Sequence, residues 1–296
     1  MTIRTSSENT LAVVCLLFSA SMWGLIWYPL RLLNEAGMSG VWSSLVMYLA
    51  AAIIAIPVLS KRYHEVLANK GPLLGLALAA GITNVAFVVA LIEGEVMRVM
   101  LLFYLSPIWT VLLGRWWLGE KLSPNAIILF SIAMLGSLVM LWNPEIGFPW
   151  PHGLADALAL IAGITFSINN VLARKLSSLA MGIKTGVIWW GVVTVSLLVI
   201  VVQQSPLPEV TQTVWASAWL LGWLGIVAMT VAVLYGVAKM PVYRSSVIML
   251  FELIVAAVAA LLLTDEAMTT QEWLGGGLIL LAAYGVATIT TPENLE

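Results

Sequence analysis

Apolar residues run along this chain in blocks too long for a soluble fold. Seven stretches carry no formal charge at all: residues 10–30, 36–60, 71–92, 122–144, 185–208, 210–238 and 273–292. A bilayer core takes about 20 apolar residues per helix, so each block predicts a membrane span. Three more spans are shorter or interrupted, at 99–114, 157–173 and 245–263, the last with Glu252 inside it. The pattern predicts an all-α membrane protein of ten transmembrane helices joined by short connections.

Composition sharpens that picture. The chain is 61% hydrophobic and 9% charged, against roughly half apolar in a soluble globular domain. Ten spans take up about two thirds of the chain, so no soluble domain fits beside them. A formal charge of −2 gives no basic footprint for nucleic acid. The single cysteine, Cys15, falls in the first span and offers neither an internal disulfide nor a metal cluster. His64 and His152 fall in predicted loops. No metal or cofactor is expected. Residues 10–30 are too long for a cleaved signal and end in Trp27-Tyr28-Pro29 rather than small residues, which predicts an uncleaved first helix.

The cations sort by side. With Arg4 placed in the cytoplasm, the inner connections hold Lys61, Arg62, Lys70, Arg115, Lys121, Arg174, Lys175, Lys184, Lys239 and Arg244. Only Arg31 and Arg98 of the 13 Lys and Arg fall outside. Short loops follow the positive-inside rule, which predicts both termini in the cytoplasm of a plasma-membrane (inner-membrane) protein. Of 14 tryptophans, Trp42, Trp116, Trp117, Trp142, Trp150, Trp215 and Trp273 lie near span ends and read as an interfacial belt. Trp23, Trp27 and Trp109 lie deeper and are candidates for lining a cavity.

The chain also repeats itself. Leu118-Gly-Glu-Lys-Leu-Ser-Pro124 follows the fourth span, and Thr264-Asp-Glu-Ala-Met-Thr-Thr270 follows the ninth. Glu120 with Ser123 and Glu266 with Thr269 share a spacing, and from 120 to 266 is an offset of 146 residues. Ser123 and Thr269 are placed to cap the next helix, with Pro124 in a first-turn position. The division predicts halves at 1–146 and 147–296. Five helices per half is an odd number, so the second half sits upside down relative to the first. Inverted repeats are typical of transporters that hold substrate at the midplane between halves. A chance match of two capping turns is the rival explanation.

Candidate packing and pathway residues follow. Ser106, Thr110 and Gly114 form a small-residue stripe, as do Ala256 and Ala260, and Gly275-Gly-Gly277 opens the tenth span; these are packing surfaces. Pro107 frees a backbone carbonyl inside the fourth span, marking either a bend beside a cavity or a static kink. Glu252 lies eight residues after Arg244, about 12 Å along a helix, close to mid-membrane. A carboxylate there needs the protein interior or water, and a partner. It binds a substrate amino group or takes up a proton, or else is a hydrogen-bonded structural residue. Asn84, Phe87, Tyr104, Trp109, Asn169, Asn170 and Tyr235 are further mid-span candidates for substrate contact. Arg98, at the outer mouth, either attracts a carboxylate or snorkels to the headgroups, or pairs with Glu93 or Glu95.

Met22-Trp-Gly24, Tyr104-Leu-Ser-Pro-Ile-Trp109, Gly119-Glu-Lys-Leu-Ser123 and the paired Glu266 turn resemble those of the EamA-type drug/metabolite transporters. Within that superfamily the chain is similar to the YddG-type exporters of aromatic amino acids. The resemblance covers the full length. It implies two inverted five-helix repeats, a central cavity, cytoplasmic termini, and export of amino acids or other metabolites. Leu253, preceded by Glu252, stands where the first half has Pro107, so the two halves differ chemically.

A carrier working by alternating access, as a monomer among membrane lipids and with or without proton coupling, is the function these residues favour. Carriers of nucleotide sugars or quaternary amines are the nearest alternatives. No nucleophile with a base, paired aspartates or zinc-binding helix supports an intramembrane enzyme, and no filter-like loop supports a channel.

Overall fold

The computed structural model describes residues 6–94, 96–142, 151–263 and 268–288. All regular structure among them is helical: α1 (Ser6–Leu25), α2 (Trp27–Glu35), α3 (Gly40–Lys61), α4 (Tyr63–Ala68), α5 (Lys70–Glu93), α6 (Val96–Phe103), α7 (Ser106–Leu118), α8 (Pro124–Leu141), α9 (Leu154–Lys175), α10 (Met181–Val202), α11 (Gln212–Leu220), a π-helical turn (Leu221–Ile226), α12 (Val227–Lys239), α13 (Val242–Met249), α14 (Phe251–Leu263) and α15 (Thr270–Thr288). Nine segments of the described residues are long and apolar enough to cross a membrane. The tenth expected span corresponds to α15. Its described part has 19 residues and carries Gln271 and Glu272 in its first turn. Large apolar side chains such as Leu74, Val202 and Leu262 face outward, as lipid rather than water requires.

Three spans are interrupted. The first bends at Ile26, between α1 and α2. The fourth breaks between Phe103 and Ser106, and the ninth at Leu250. Pro107 accounts for the fourth, because it sits in the first turn of α7, where a missing N–H costs nothing. The ninth breaks at the corresponding place with Leu253 there instead. At the ends of the spans the capping expectations hold. Ser123 Oγ accepts from the Ala126 N–H at 3.2 Å. Thr269 and Glu272 form a reciprocal capping box, with the Thr269 N–H donating to Glu272 Oε2 at 2.6 Å and the Glu272 N–H to Thr269 Oγ1 at 3.2 Å. Glu266, Glu95 and Trp150 lie outside the described residues. His64 sits in the short helix α4, its ring 3.8 Å from that of Tyr63.

Packing follows a two-fold pattern between the halves. α1 lies on α12 and on α13–α14; α9 lies on α5 and on α6–α7. α3 packs against α10, and α8 against α15. These are the pairs that exchanging helices one to five with six to ten would conserve. Direction is legible residue by residue. Val58 faces Gly182 while Ala55 faces Gly186, and Leu129 faces Gly285 while Gly136 faces Gly275. Gly114 faces Val242, while Tyr104 bonds Glu252. The second and seventh, fourth and ninth, and fifth and tenth helices therefore run antiparallel to their counterparts, so the two repeats are inverted.

The closest crossings use glycine. A β-carbon on Gly191 would lie 2.2 Å from the Ala77 carbonyl oxygen, and one on Gly136 would lie 2.8 Å from that of Gly275. In lipid, where apolar burial does not drive helices together, such close backbone approach supplies the packing. Gly277, by contrast, faces open space. The apolar interior forms two main clusters. One joins α1, α3, α5, α9, α10 and α12; the other joins α6, α8, α13, α14 and α15.

Candidate functional site

A cavity of about 150 Å³ opens between the two clusters, near the middle of the spans. α1 contributes Trp23, α3 Tyr48, α5 Asn84 and Phe87, α6 Phe103, α9 Phe166, Asn169 and Asn170, and α14 Glu252. Both broken spans thus reach it at their breaks. A smaller void of about 20 Å³ adjoins it beside Tyr104, Ser106 and Glu252.

Local structure explains each placement. Gly24 lets α1 close on α14: a β-carbon there would lie 2.6 Å from the Glu252 carbonyl oxygen. That contact fixes Trp23 and Glu252 at one depth. Gly163 lets α9 meet the break of the fourth span, since a β-carbon would lie 2.9 Å from the Phe103 carbonyl oxygen. The carbonyl of Ser106 accepts from Thr110 Oγ1 at 3.0 Å and Ser167 Oγ at 2.8 Å. The second of these bonds ties α9 to the first turn of α7, inside protein.

Aromatic rings of Trp23, Tyr48, Phe87, Phe103 and Phe166 form part of the cavity wall. Phe103 lies 4.6 Å from Phe87 and 5.6 Å from Phe166, centroid to centroid, in tilted contacts. The cavity's polar lining combines neutral donors and acceptors with one carboxyl group, that of Glu252. The Tyr104 hydroxyl donates to the Glu252 carboxyl. Asn84 is hydrogen-bonded to Tyr48, yet its Oδ1 is buried without a protein partner, as is Asn169 Oδ1. A buried polar atom left unmatched is costly, so these two oxygens point to a donor-bearing occupant or to water. Thr83 Oγ1 and Thr165 Oγ1, 2.8 Å apart, pin α5 to α9 at the same level.

Of the residues singled out from the sequence, Trp23, Asn84, Phe87, Asn169, Asn170 and Glu252 share the main cavity, and Tyr104 joins them through Glu252. Trp109 does not line either space; its Nε1 is buried without a partner elsewhere. Tyr235 faces Lys239, whose Nζ lies 5.8 Å from the ring centroid. Trp27 stacks edge-on with Tyr28. Tyr48, Phe103, Phe166 and Met249 line the cavity although no sequence signal set them apart from other apolar positions.

Arg98 corrects an expectation. It neither snorkels nor pairs with Glu93; its Nε donates to Asp156 Oδ2 at 2.7 Å, with both side chains about nine-tenths buried. At the opposite end of the same two spans, Arg174 Nε lies 3.5 Å from Glu120 Oε1. Arg174 Nη1 also donates to the Ala238 carbonyl at 2.6 Å, and Glu120 Oε2 accepts from the Val242 N–H at 2.8 Å. Four helix ends are thus tied together on that face of the bundle. Among the described residues, no group of three or more His, Cys, Asp or Glu could hold a metal ion.

Comparison with known proteins agrees with this architecture. A family model described as the EamA-like transporter family matches twice, over residues 10–142 and 153–288. A protein of Archaeoglobus fulgidus, described as an uncharacterized transporter, is 24% identical over 212 residues, covering 70% of this chain and 73% of that protein. One solved crystal structure superposes with a TM-score of 0.73 at 17% identity, covering 96% of this chain and 98% of its own; it shows a shared fold. Matched by that family model along both of its repeats, the chain belongs to the EamA-like transporter family.

Proposed function

We propose that this membrane transporter carries small ammonium-bearing metabolites with an apolar body, the class that includes the aromatic amino acids, and exports them by alternating access. The observation that carries the reading is the convergence of both broken spans on one midplane cavity, with Glu252 and a wall of aromatic rings inside it. Discontinuous helices at a repeat interface are how many carriers form their sites. Aromatic rings receive an apolar body by stacking and an ammonium by cation–π attraction, and Glu252 supplies the counter-charge.

In this reading all ten helices cross the membrane, and the repeats divide as 1–146 and 147–296. The distribution of Lys and Arg supports cytoplasmic termini, in an inner-membrane setting. The Glu120–Arg174 network then closes the cytoplasmic face, and Arg98–Asp156 lies on the outer side. Rocking of the repeats opens the Glu120–Arg174 closure, while the buried Arg98–Asp156 pair stays intact. The protein acts as a monomer, and Glu252 couples movement to protons by exchanging a proton for the substrate ammonium. The test is flux of labelled amino acids and amines in proteoliposomes, with counterflow and with and without an imposed pH gradient. Saturable counterflow supports a carrier; linear, non-saturating flux refutes it.

A further inference from the structure

We propose that the site selects amines without a carboxylate over amino acids. This rests on the carrier reading above and narrows the substrate class of the same cavity. An amino acid brings two charges into the membrane and needs a partner for each. The cavity supplies a partner for one of them.

The charged inventory is one-sided: Glu252 is the ionisable acid in the lining, and Trp23, Tyr48, Thr230 and the Asn amides add only neutral donors. Glu252 offers a carboxyl group, and Asn84 Oδ1 and Asn169 Oδ1 are acceptors without a protein donor. Among the described residues lining the main cavity and its annex, none is Lys, Arg or His. Arg174 is the guanidinium nearest along α9, four residues past Asn170, and it is held by Glu120 and the Ala238 carbonyl. Part of the backbone at the two breaks is already spent. An anion can sit on free N–H groups where a helix begins. At the break of the fourth span, however, the Tyr104, Leu105 and Ile108 N–H groups donate to Met100, Leu102 and Leu105 carbonyls. At the break of the ninth, those of Leu250 and Leu253 donate to Val247 and Leu250. An ammonium would meet three oxygens and the faces of Phe87, Phe103 and Phe166. A carboxylate in the same space would lose its water and gain no positive partner. The volume, well below the roughly 300–1,000 Å³ of drug-sized sites, fits one ring with a short amine arm.

The experiment compares three probes that share a phenyl ring: 2-phenylethylamine (ammonium only), phenylalanine (ammonium and carboxylate) and 3-phenylpropionate (carboxylate only). Each is offered as a competitor of labelled 2-phenylethylamine counterflow in proteoliposomes of the full chain. The expected result is saturable amine exchange, at least tenfold weaker competition by phenylalanine, and none by 3-phenylpropionate. Glu252→Gln should weaken amine competition at least tenfold while its melting temperature in detergent matches the parent. Phenylalanine competing as well as the amine overturns the amine assignment and leaves the carrier reading in place. Saturable exchange of none of the three, with no thermal protection by any, overturns both.

Discussion

Glu120 and Arg174 stand 3.5 Å apart where four helix ends meet, 54 residues from one another in sequence and in opposite halves of the repeat. Each also holds a backbone group of a third or fourth helix, the Val242 N–H and the Ala238 carbonyl. Hydrogen bonds to charged groups contribute about 1.5–3 kcal/mol each. Glu120→Gln should therefore shift the closed-to-open ratio of this face by roughly ten- to a hundredfold. In a Cys15→Ser background, a cysteine placed at Ser246, beside the annex of the cavity, should label faster from this face in the Glu120→Gln protein. Equal labelling rates would remove the closure from the mechanism.

The second ionic contact is stabilising rather than mobile in character. Arg98 and Asp156 are 2.7 Å apart and nearly buried, and Asp156 also accepts from the His152 N–H at 2.9 Å. Removing one partner of a buried pair strands the other charge and costs about 3–5 kcal/mol. Arg98→Ala and Asp156→Asn should each lower the melting temperature of the solubilised protein by several degrees. The double variant should lose less than the sum of the two. Strict additivity would show that the two side chains are not coupled.

How much of this was legible beforehand follows from what each feature depends on. Span lengths are set by bilayer thickness, so nine spans and the inverted repeat were readable from apolar blocks and from the matching turns at Ser123 and Thr269. Mid-span polarity marked Asn84, Asn169, Asn170 and Glu252, because an isolated polar group in lipid must face inward. Facing among apolar residues was not readable. Tyr48, Phe103 and Phe166 reach the cavity only through contacts between helices distant in sequence, and the same contacts turn Trp109 and Tyr235 away. Arg98 found its partner 58 residues along, across a helix pairing that no local pattern encodes. The break at Leu250 carries no proline, so its place came from the tertiary fold.

The glycine crossings make a controlled comparison. A β-carbon on Gly136 would meet the Gly275 carbonyl at 2.8 Å, whereas one on Gly277 meets nothing within 4 Å. Gly136→Ala should force α8 and α15 apart and cost about 1–3 kcal/mol as overpacking. Gly277→Ala should be neutral or stabilise by about 0.4–1 kcal/mol through the unfolded chain. Thermal melts of the two variants should move in opposite directions or differ by several degrees. Matching melts would deny that α8 and α15 cross at this point.

Glu252 carries the sharpest prediction. Its carboxyl group is joined to Tyr104, faces the cavity, and is set in depth by Gly24 on α1. If it only braced Tyr104, Glu252→Gln would preserve that hydrogen bond and leave flux intact, since an amide oxygen still accepts from a phenol. If it neutralises the bound ammonium and exchanges a proton with it, the same change removes the charge and the titration together. Flux in proteoliposomes should then fall at least tenfold, a loss of about 1.4 kcal/mol or more in transition-state stabilisation, and the residual flux should no longer respond to a pH gradient. Tyr104→Phe separates the two roles: it removes the phenol but leaves the carboxyl, and should weaken transport without abolishing the response to pH. Glu252→Gln transporting at the parental rate with the parental pH response would assign the residue to structure alone.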